Sequence, residues 1–121
     1  MHSRLNHVAL ELAPENAHPF GARDIGYDIY LPLREDGLLD ASAVPLGRCR
    51  VRCRNTGAVS HGSISVSADG KLVFSYPNGS AHDGGCQHLL ERTPLRAGQR
   101  ISICDNAGTP HAYEVVSIRE T

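Results

Sequence analysis

Three side chains in the second half of the chain, His82, Cys86 and His88, are of the types that bind zinc. Imidazole nitrogen and thiolate sulfur are common zinc ligands, but a structural zinc site closes with four ligands. The His-x3-Cys-x-His spacing matches no zinc-finger pairing, so a fourth ligand would have to come from elsewhere, for example His61 or His111. The segment is consistent either with a zinc-binding cluster or with a polar loop whose histidines are incidental.

Cys86 also follows two glycines, which gives it a second chemical interpretation. As a thiolate it could act as a nucleophile with His61 or His88 as its base, while the amides of Gly84 and Gly85 stabilise an oxyanion. The flanking residues match no cysteine-hydrolase pattern. This is the weaker of the two chemical hypotheses for the segment.

A carboxylate and an imidazole are predicted to meet at the last hairpin. Its alternation pairs Ile103 with Tyr113 and sets Asp105 opposite His111. A carboxylate in that position can orient an imidazole, as it does in catalytic triads and around metal ions. The alternative is an ordinary cross-strand polar pair.

The stretch 48–54 alternates arginine with apolar residues, which predicts a half-buried β-strand. Cys49, Val51 and Cys53 would face the core. The opposite face would carry four guanidinium groups, those of Arg48, Arg50, Arg52 and Arg54. Neighbours on that face are separated by roughly 6 to 7 Å and could hold phosphates or carboxylates. The alternative is a solvated face whose arginines pair with acids on adjacent strands.

Nucleic acid is a possible partner of the arginines but not the favoured one, because the strand itself lacks the aromatic side chains on which bases stack. Neighbouring strands could supply Tyr27, Tyr30, Phe74 or Tyr76, but most of these fall on predicted core faces. The whole chain, with a net charge of -1 and a pI near 6.6, gives no general attraction to polyanions either. An anionic ligand or a protein is the expected partner, and no membrane partner is expected.

The N-terminal sequence indicates the compartment, and the compartment indicates the state of the cysteines. The first residues contain no apolar run of the signal-peptide kind, so we expect a cytoplasmic protein with reduced thiols. Cys49 and Cys53 could neither pair nor share a metal ion, because four strand residues place their Cα atoms roughly 13 Å apart.

Short periodic segments would position all these residues. The segment 7–12 predicts a strand, and so does 26–33, although Pro32 predicts that this second strand ends there or lies at an edge. One helical turn is expected at 41–44 after Asp40. Further strands are expected at 88–92 and, in the last hairpin, at 100–104 and 111–118. Residues 77–87 are expected to form an irregular loop.

The hairpin around 68–70 allows its register to be predicted. A two-residue turn at Asp69 and Gly70 would place the apolar residues of one strand opposite serines. A bulged loop instead pairs Val66 with Leu72 and Ile64 with Phe74, which keeps one apolar face. We therefore predict the bulged register.

Together the segments predict one all-β domain over residues 1–121, a small antiparallel barrel or sandwich of about seven to eight short strands with at most one helical turn. The first functional hypothesis is a non-enzymatic binding module that uses the arginine face or the glycine-rich loop and needs no cofactor. The alternative is a small enzyme or zinc-binding protein centred on five residues: His82, Cys86, His88, Asp105 and His111.

Overall fold

A computed structural model describes residues 3–16, 18–46, 48–66, 72–77, 84–86, 94–105 and 109–121. One antiparallel sheet contains eight strands, all shorter than fourteen residues. They are β1 (Ser3–Leu12), β2 (Ala22–Arg34), β3 (Arg50–Asn55), β4 (Ala58–Val66), β5 (Leu72–Ser75), β6 (Gly84–Cys86), β7 (Arg100–Cys104) and β8 (Pro110–Glu120).

The strand order is β5-β4-β3-β2-β1-β8-β7-β6, so consecutive strands pair with each other except β5 and β6, which form the two edges, and β1 also pairs with β8. The sheet curls into a half-barrel, and its two edge strands, β5 and β6, approach with Cα atoms within 8 Å. The predicted all-β class and the strand number are confirmed. So is the single helical turn, which is a 3₁₀ helix (Ala41–Leu46).

Alternate side chains of every long strand fill the concave side of the sheet, as the period of two requires. Val8 and Leu10 of β1 and Ile29 of β2 are fully buried there. Cys49 and Val51 are buried on the same side, and Cys53 packs against the core from a partly buried position. The predicted core face of the arginine strand is thus confirmed, and its arginines lie on the outer face.

Pro32 does not mark an edge, which corrects one prediction. β2 is a central strand between β1 and β3 and continues to Arg34. The ladder with β3 stops at the pair Tyr30–Arg50, so Pro32 follows the last pair and its missing N–H interrupts no bond on that side. Its carbonyl accepts a hydrogen bond from Asp40 N at 2.9 Å.

Of the two hairpin registers predicted from the sequence, one is confirmed and the other is wrong. β4 and β5 pair Val66 with Leu72 and Ile64 with Phe74, as predicted. In the β7–β8 hairpin Ile103 pairs with His111, so the predicted pairing of Ile103 with Tyr113 is wrong by two residues. The turn is shifted by one residue toward the N-terminus, because the last ladder pair is Cys104–Pro110 and a backbone hydrogen bond then joins Asp105 to Thr109.

The segment 77–87, predicted as irregular, contains the short strand β6, which pairs with β7. Its two glycines give no periodic signal, which is why the sequence pattern missed it. The strand predicted at 88–92 lies outside the described residues.

Candidate functional site

The open end of the half-barrel contains a pocket of about 500 Å³, within the range of roughly 300–1,000 Å³ typical of small-molecule sites. It lies where β1, β3, β5 and β7 end and where β2, β4 and β8 begin. We call it the mouth pocket. Its lining residues are Leu12, Glu15, His18, Ile25, Gly26, Tyr27, Cys53, Arg54, Asn55, Ala58, Ser60, Tyr76, Asp105, His111 and Tyr113.

His111 is held between two carboxylates at the rim of this pocket. Its Nδ1 lies 3.1 Å from Glu15 Oε2, and its Nε2 lies 3.0 Å from Asp105 Oδ2. These hydrogen bonds, first that with Asp105 and then that with Glu15, raise the pKa of His111 above its usual value against the opposing effect of burial. The imidazolium form donates to both acids, and we call the three residues the His111 clamp.

Two backbone turns position the acids of the clamp. Asp105 N donates to Thr109 O at 2.9 Å, and Thr109 N donates to Asp105 Oδ1 at 3.0 Å. The other carboxylate oxygen of Asp105 is thereby left to face His111. Glu15 exchanges backbone hydrogen bonds with His18 at 2.9 and 3.0 Å in the connection between β1 and β2.

The clamp is poorly suited to general-base catalysis. A base needs a ring nitrogen with a lone pair directed at the substrate, whereas both nitrogens of His111 are bonded to acids. The contact between Asp105 and His111 that the sequence predicted does form, although through a different register. Glu15 is an additional partner that the sequence pattern did not identify.

His18 adds a polar atom to the pocket. Its Nδ1 is buried and has no hydrogen-bond partner within the described part of the chain. A buried nitrogen without a partner is energetically unfavourable, because it has given up its bond to water. His18 lines the mouth pocket, but its Nδ1 is buried beneath the surface of the pocket.

Aromatic rings form the floor of the pocket. The centroids of Tyr27 and Tyr113 lie 5.0 Å apart with the rings at 73°, and Tyr27 lies 5.4 Å from Phe74. Tyr76 is the third ring that lines the pocket, Phe74 packs against Tyr27 without lining it, and all four rings are buried. Edge-to-face packing of this kind fixes ring positions and leaves a rigid apolar surface.

Arg54 connects the pocket to the outer face of the sheet. Its two terminal nitrogens donate to the carbonyls of Arg23 and Leu10, both at 2.8 Å. Its Nε lies 3.2 Å from Asp28 Oδ2, an ion-pair distance without hydrogen-bond geometry. Gly26 leaves the space in which Arg54 reaches the Leu10 carbonyl, because a Cβ atom at position 26 would overlap the Leu10 carbonyl oxygen.

Asp28 is the one buried charged residue among those the structure describes. Its Oδ1 lies 2.8 Å from His7 Nε2, and its Oδ2 lies 3.5 Å from a terminal nitrogen of Arg52 and near Arg54. His7 in turn stacks on Tyr30 with ring centroids 5.0 Å apart. One acid thus holds three basic side chains, and we call these four residues the Asp28 network.

The predicted arginines fall into two pairs. Arg52 and Arg54 belong to the Asp28 network, which agrees with the expectation of cross-strand pairing to acids. Arg48 and Arg50 are exposed and have no ion-pair partner among the described residues.

The zinc cluster stays a prediction. His82 and His88 lie outside the described residues, and Cys86 is the last residue of β6, of which the backbone alone is described. Within the described ranges no group of three or more histidine, cysteine or acidic side chains is arranged to hold a metal ion. Cys49, Cys53 and Cys104 form no disulfide there.

The described helical structure includes no segment long and apolar enough to cross a bilayer. A scan against protein-family models finds no match for the chain. Searches of curated proteins and of solved structures find no match either. The site must therefore be interpreted from its own geometry.

Proposed function

We propose that the protein is a non-enzymatic binding module that takes a small molecule into the mouth pocket. The ligand we propose has an apolar, preferably aromatic, body and a positively charged or hydrogen-bond-donating end. The observation that carries the proposal is an aromatic floor beneath a rim with two acids. Floor and rim are the elements of a site for organic cations, since tyrosine faces attract cations and carboxylates bind them.

The charges of the rim support a cationic end on the ligand. Glu15 and Asp105 share the single positive charge of His111, so the clamp carries one net negative charge. Arg54 also lines the pocket, but its terminal nitrogens donate to backbone carbonyls and its Nε lies 3.2 Å from Asp28 Oδ2.

A binding role is favoured over catalysis because no described group in the pocket combines an available lone pair with a neighbouring nucleophile. Both nitrogens of His111 are occupied. Cys53 and His18 both line the pocket, but the buried His18 Nδ1 has no hydrogen-bond partner among the described residues and so does not activate the Cys53 thiol. As part of this proposal we take residues 1–121 to act as one domain in the reducing cytoplasm.

A matched pair of probes tests the proposal. Benzylamine and benzoate share a phenyl ring and carry opposite charges. In amide-detected NMR titrations we expect benzylamine to shift the signals of Tyr27, His111 and Tyr113, and benzoate to leave them unchanged. Glu15→Gln should weaken benzylamine binding several-fold because it removes one rim charge.

Glu35→Gln is the control, since Glu35 is exposed at the turn after β2, at the other end of that strand from the pocket. It should leave benzylamine binding unchanged. Equal shifts with both probes, or shifts confined to other surfaces, would contradict the proposal.

The zinc hypothesis for His82, Cys86 and His88 remains the alternative, with Asp105 and His111 as the acid and the base that the sequence analysis assigned to the same centre. Elemental analysis of the purified protein tests it directly. A preparation without stoichiometric zinc or another transition metal would rule the metal version out.

A further inference from the structure

A row of basic and aromatic side chains crosses the outer face of the sheet, away from the mouth pocket. Arg50 of β3 pairs with Tyr30 of β2, Tyr30 pairs with His7 of β1, and His7 pairs with Arg119 of β8. The residues are direct cross-strand partners, so adjacent members stand roughly 5 Å apart. Two guanidinium groups therefore flank the stacked rings of Tyr30 and His7.

The neighbouring row on the same face extends the positive surface. It places His61 of β4 opposite Arg52 of β3, and Arg52 opposite Asp28. Asp28 is buried and held by its three basic partners, while 47% of the Arg52 side chain remains exposed. The two rows thus present arginines to solvent and keep their one acid out of reach.

The outermost arginines are available for a partner. Arg50 and Arg119 are exposed, and neither has an ion-pair partner in the part of the chain that the structure describes. The chain as a whole has a net charge of -1, whereas these two rows contain three arginines and one buried acid. A local concentration of this kind attracts polyanions that the average charge would not.

We propose that this outer face binds single-stranded nucleic acid, with phosphates on Arg50, Arg52 and Arg119 and bases against Tyr30 and His7. The sequence disfavoured this partner because the arginine strand has no aromatic residue. The adjacent strands supply the missing rings, since Tyr30 directly opposes Arg50 on the face opposite Tyr27. Charge that follows a backbone, combined with rings that accept bases of any sequence, is the usual composition of single-strand sites.

Two features favour a single strand over a duplex. Arginines at alternate positions of β3 lie roughly 6 to 7 Å apart, a separation suited to successive phosphates of an extended strand. The stacked rings can contact bases only where those bases are unpaired. This inference is independent of the mouth pocket, because the two surfaces lie on opposite faces of the sheet.

Fluorescence anisotropy with a labelled oligothymidylate of about 12 nucleotides tests the proposal, a length within the range that one small β-domain covers. We expect binding that weakens steeply between about 0.05 and 0.2 M salt. Arg50→Gln and Arg119→Gln should each lower the slope of log affinity against log salt by about 0.7. Each should weaken binding on the order of fourfold near 0.15 M salt, the value that follows from this slope.

Tyr30→Leu separates stacking from charge. It should weaken binding several-fold and leave the salt slope unchanged, because it removes a stacking ring and no phosphate contact. Arg96→Gln, at an exposed arginine outside both rows, is the matched control and should change neither quantity. Circular dichroism of each variant checks that the fold is retained.

Three results would overturn the proposal. The first is the absence of salt-sensitive binding by the unmodified protein. The second is equal binding by the Arg50→Gln, Arg119→Gln and Arg96→Gln variants, which would place the nucleic acid elsewhere. The third is displacement of the probe by polyglutamate as effectively as by unlabelled oligonucleotide, which would show a surface that recognises acidic chains without bases.

Discussion

The His111 clamp and the Asp28 network are built from the same types of group in inverse proportion. At the mouth, one imidazole is held by two carboxylates, Glu15 and Asp105. On the outer face, one carboxylate is held by one imidazole and two guanidinium groups. The first arrangement leaves negative charge at a pocket and the second leaves positive charge on an open face. A chain that is almost neutral overall thus presents two surfaces suited to opposite ligands.

The two regions also differ in burial, and this difference should determine how much each contributes to the free energy of unfolding. The Asp28 side chain is 12% exposed, whereas the side chains of the clamp are 27% to 38% exposed. A buried charge that loses its partners is strongly destabilising, while a partly solvated one can turn to water. We therefore expect the Asp28 network to matter more for folding than the clamp does.

Asp28→Asn should produce the largest effect. It keeps the size of the side chain and removes the charge that compensates His7, Arg52 and Arg54. We expect the free energy of unfolding to fall by about 2 kcal/mol, below the full value for a buried pair because the partners are partly exposed. Urea denaturation measures the loss.

Asp24→Asn is the control for this variant, because Asp24 is exposed near the start of β2. Its effect should stay within about 0.5 kcal/mol. If Asp28→Asn lowers the free energy of unfolding no more than Asp24→Asn does, the greater burial of Asp28 does not make its network more important for stability than the clamp.

Much of this comparison depends on features that the sequence could predict. Strict alternation over 48–54 assigned Cys49 and Val51 to the core and the arginines to the other face, and both assignments hold. The β4–β5 register also followed from the sequence, because one pairing alone keeps the apolar face continuous. Period-two patterns are local, and the sheet obeys them.

Contacts between distant segments could not be predicted in the same way. Glu15 lies in an aperiodic connection, and its contact with His111 depends on β1 pairing with β8, which no local pattern encodes. Asp28 and Tyr30 stood on the polar side of a predicted strand, but their partners were unknown without the strand order. The predicted register of the last hairpin was wrong because backbone hydrogen bonds of the turn set that register, and the residues of the turn show no hydrophobic periodicity.

His111→Gln should have a smaller and pH-dependent effect. The folded-state pKa of His111 is raised, so its stabilisation is complete below the ordinary value of 6.5 and is lost as the pH rises through the folded value. Near pH 6 we expect the variant to be less stable by about 1 kcal/mol, because the bonds to charged partners are partly solvated. The difference should disappear in alkaline solution.

Urea denaturation of both proteins across the pH range measures this difference. His61→Gln is the control, since His61 is exposed and no ion-pair partner for it is present among the described residues. It should show no such pH profile. A difference between His111→Gln and the unmodified protein that stays constant from acid to alkaline pH would mean that the clamp does not depend on the imidazolium.

The smallest expected effect is the coupling between the two regions. Arg54 lines the mouth pocket and also lies beside Asp28, so it is the one residue that both regions share. Its nitrogens contact Asp28 and two backbone carbonyls, and no contact with the clamp is present among the described residues.

The effects of Asp28→Asn and His111→Gln on the free energy of unfolding should therefore add to within about 0.5 kcal/mol when the two substitutions are combined. Asp28→Asn combined with Arg54→Lys, a pair in direct contact, should deviate by about 1 kcal/mol or more. A deviation from additivity of similar size for Asp28→Asn with His111→Gln would show that the mouth and the outer face are electrostatically coupled, although Arg54 is the only described residue that they share.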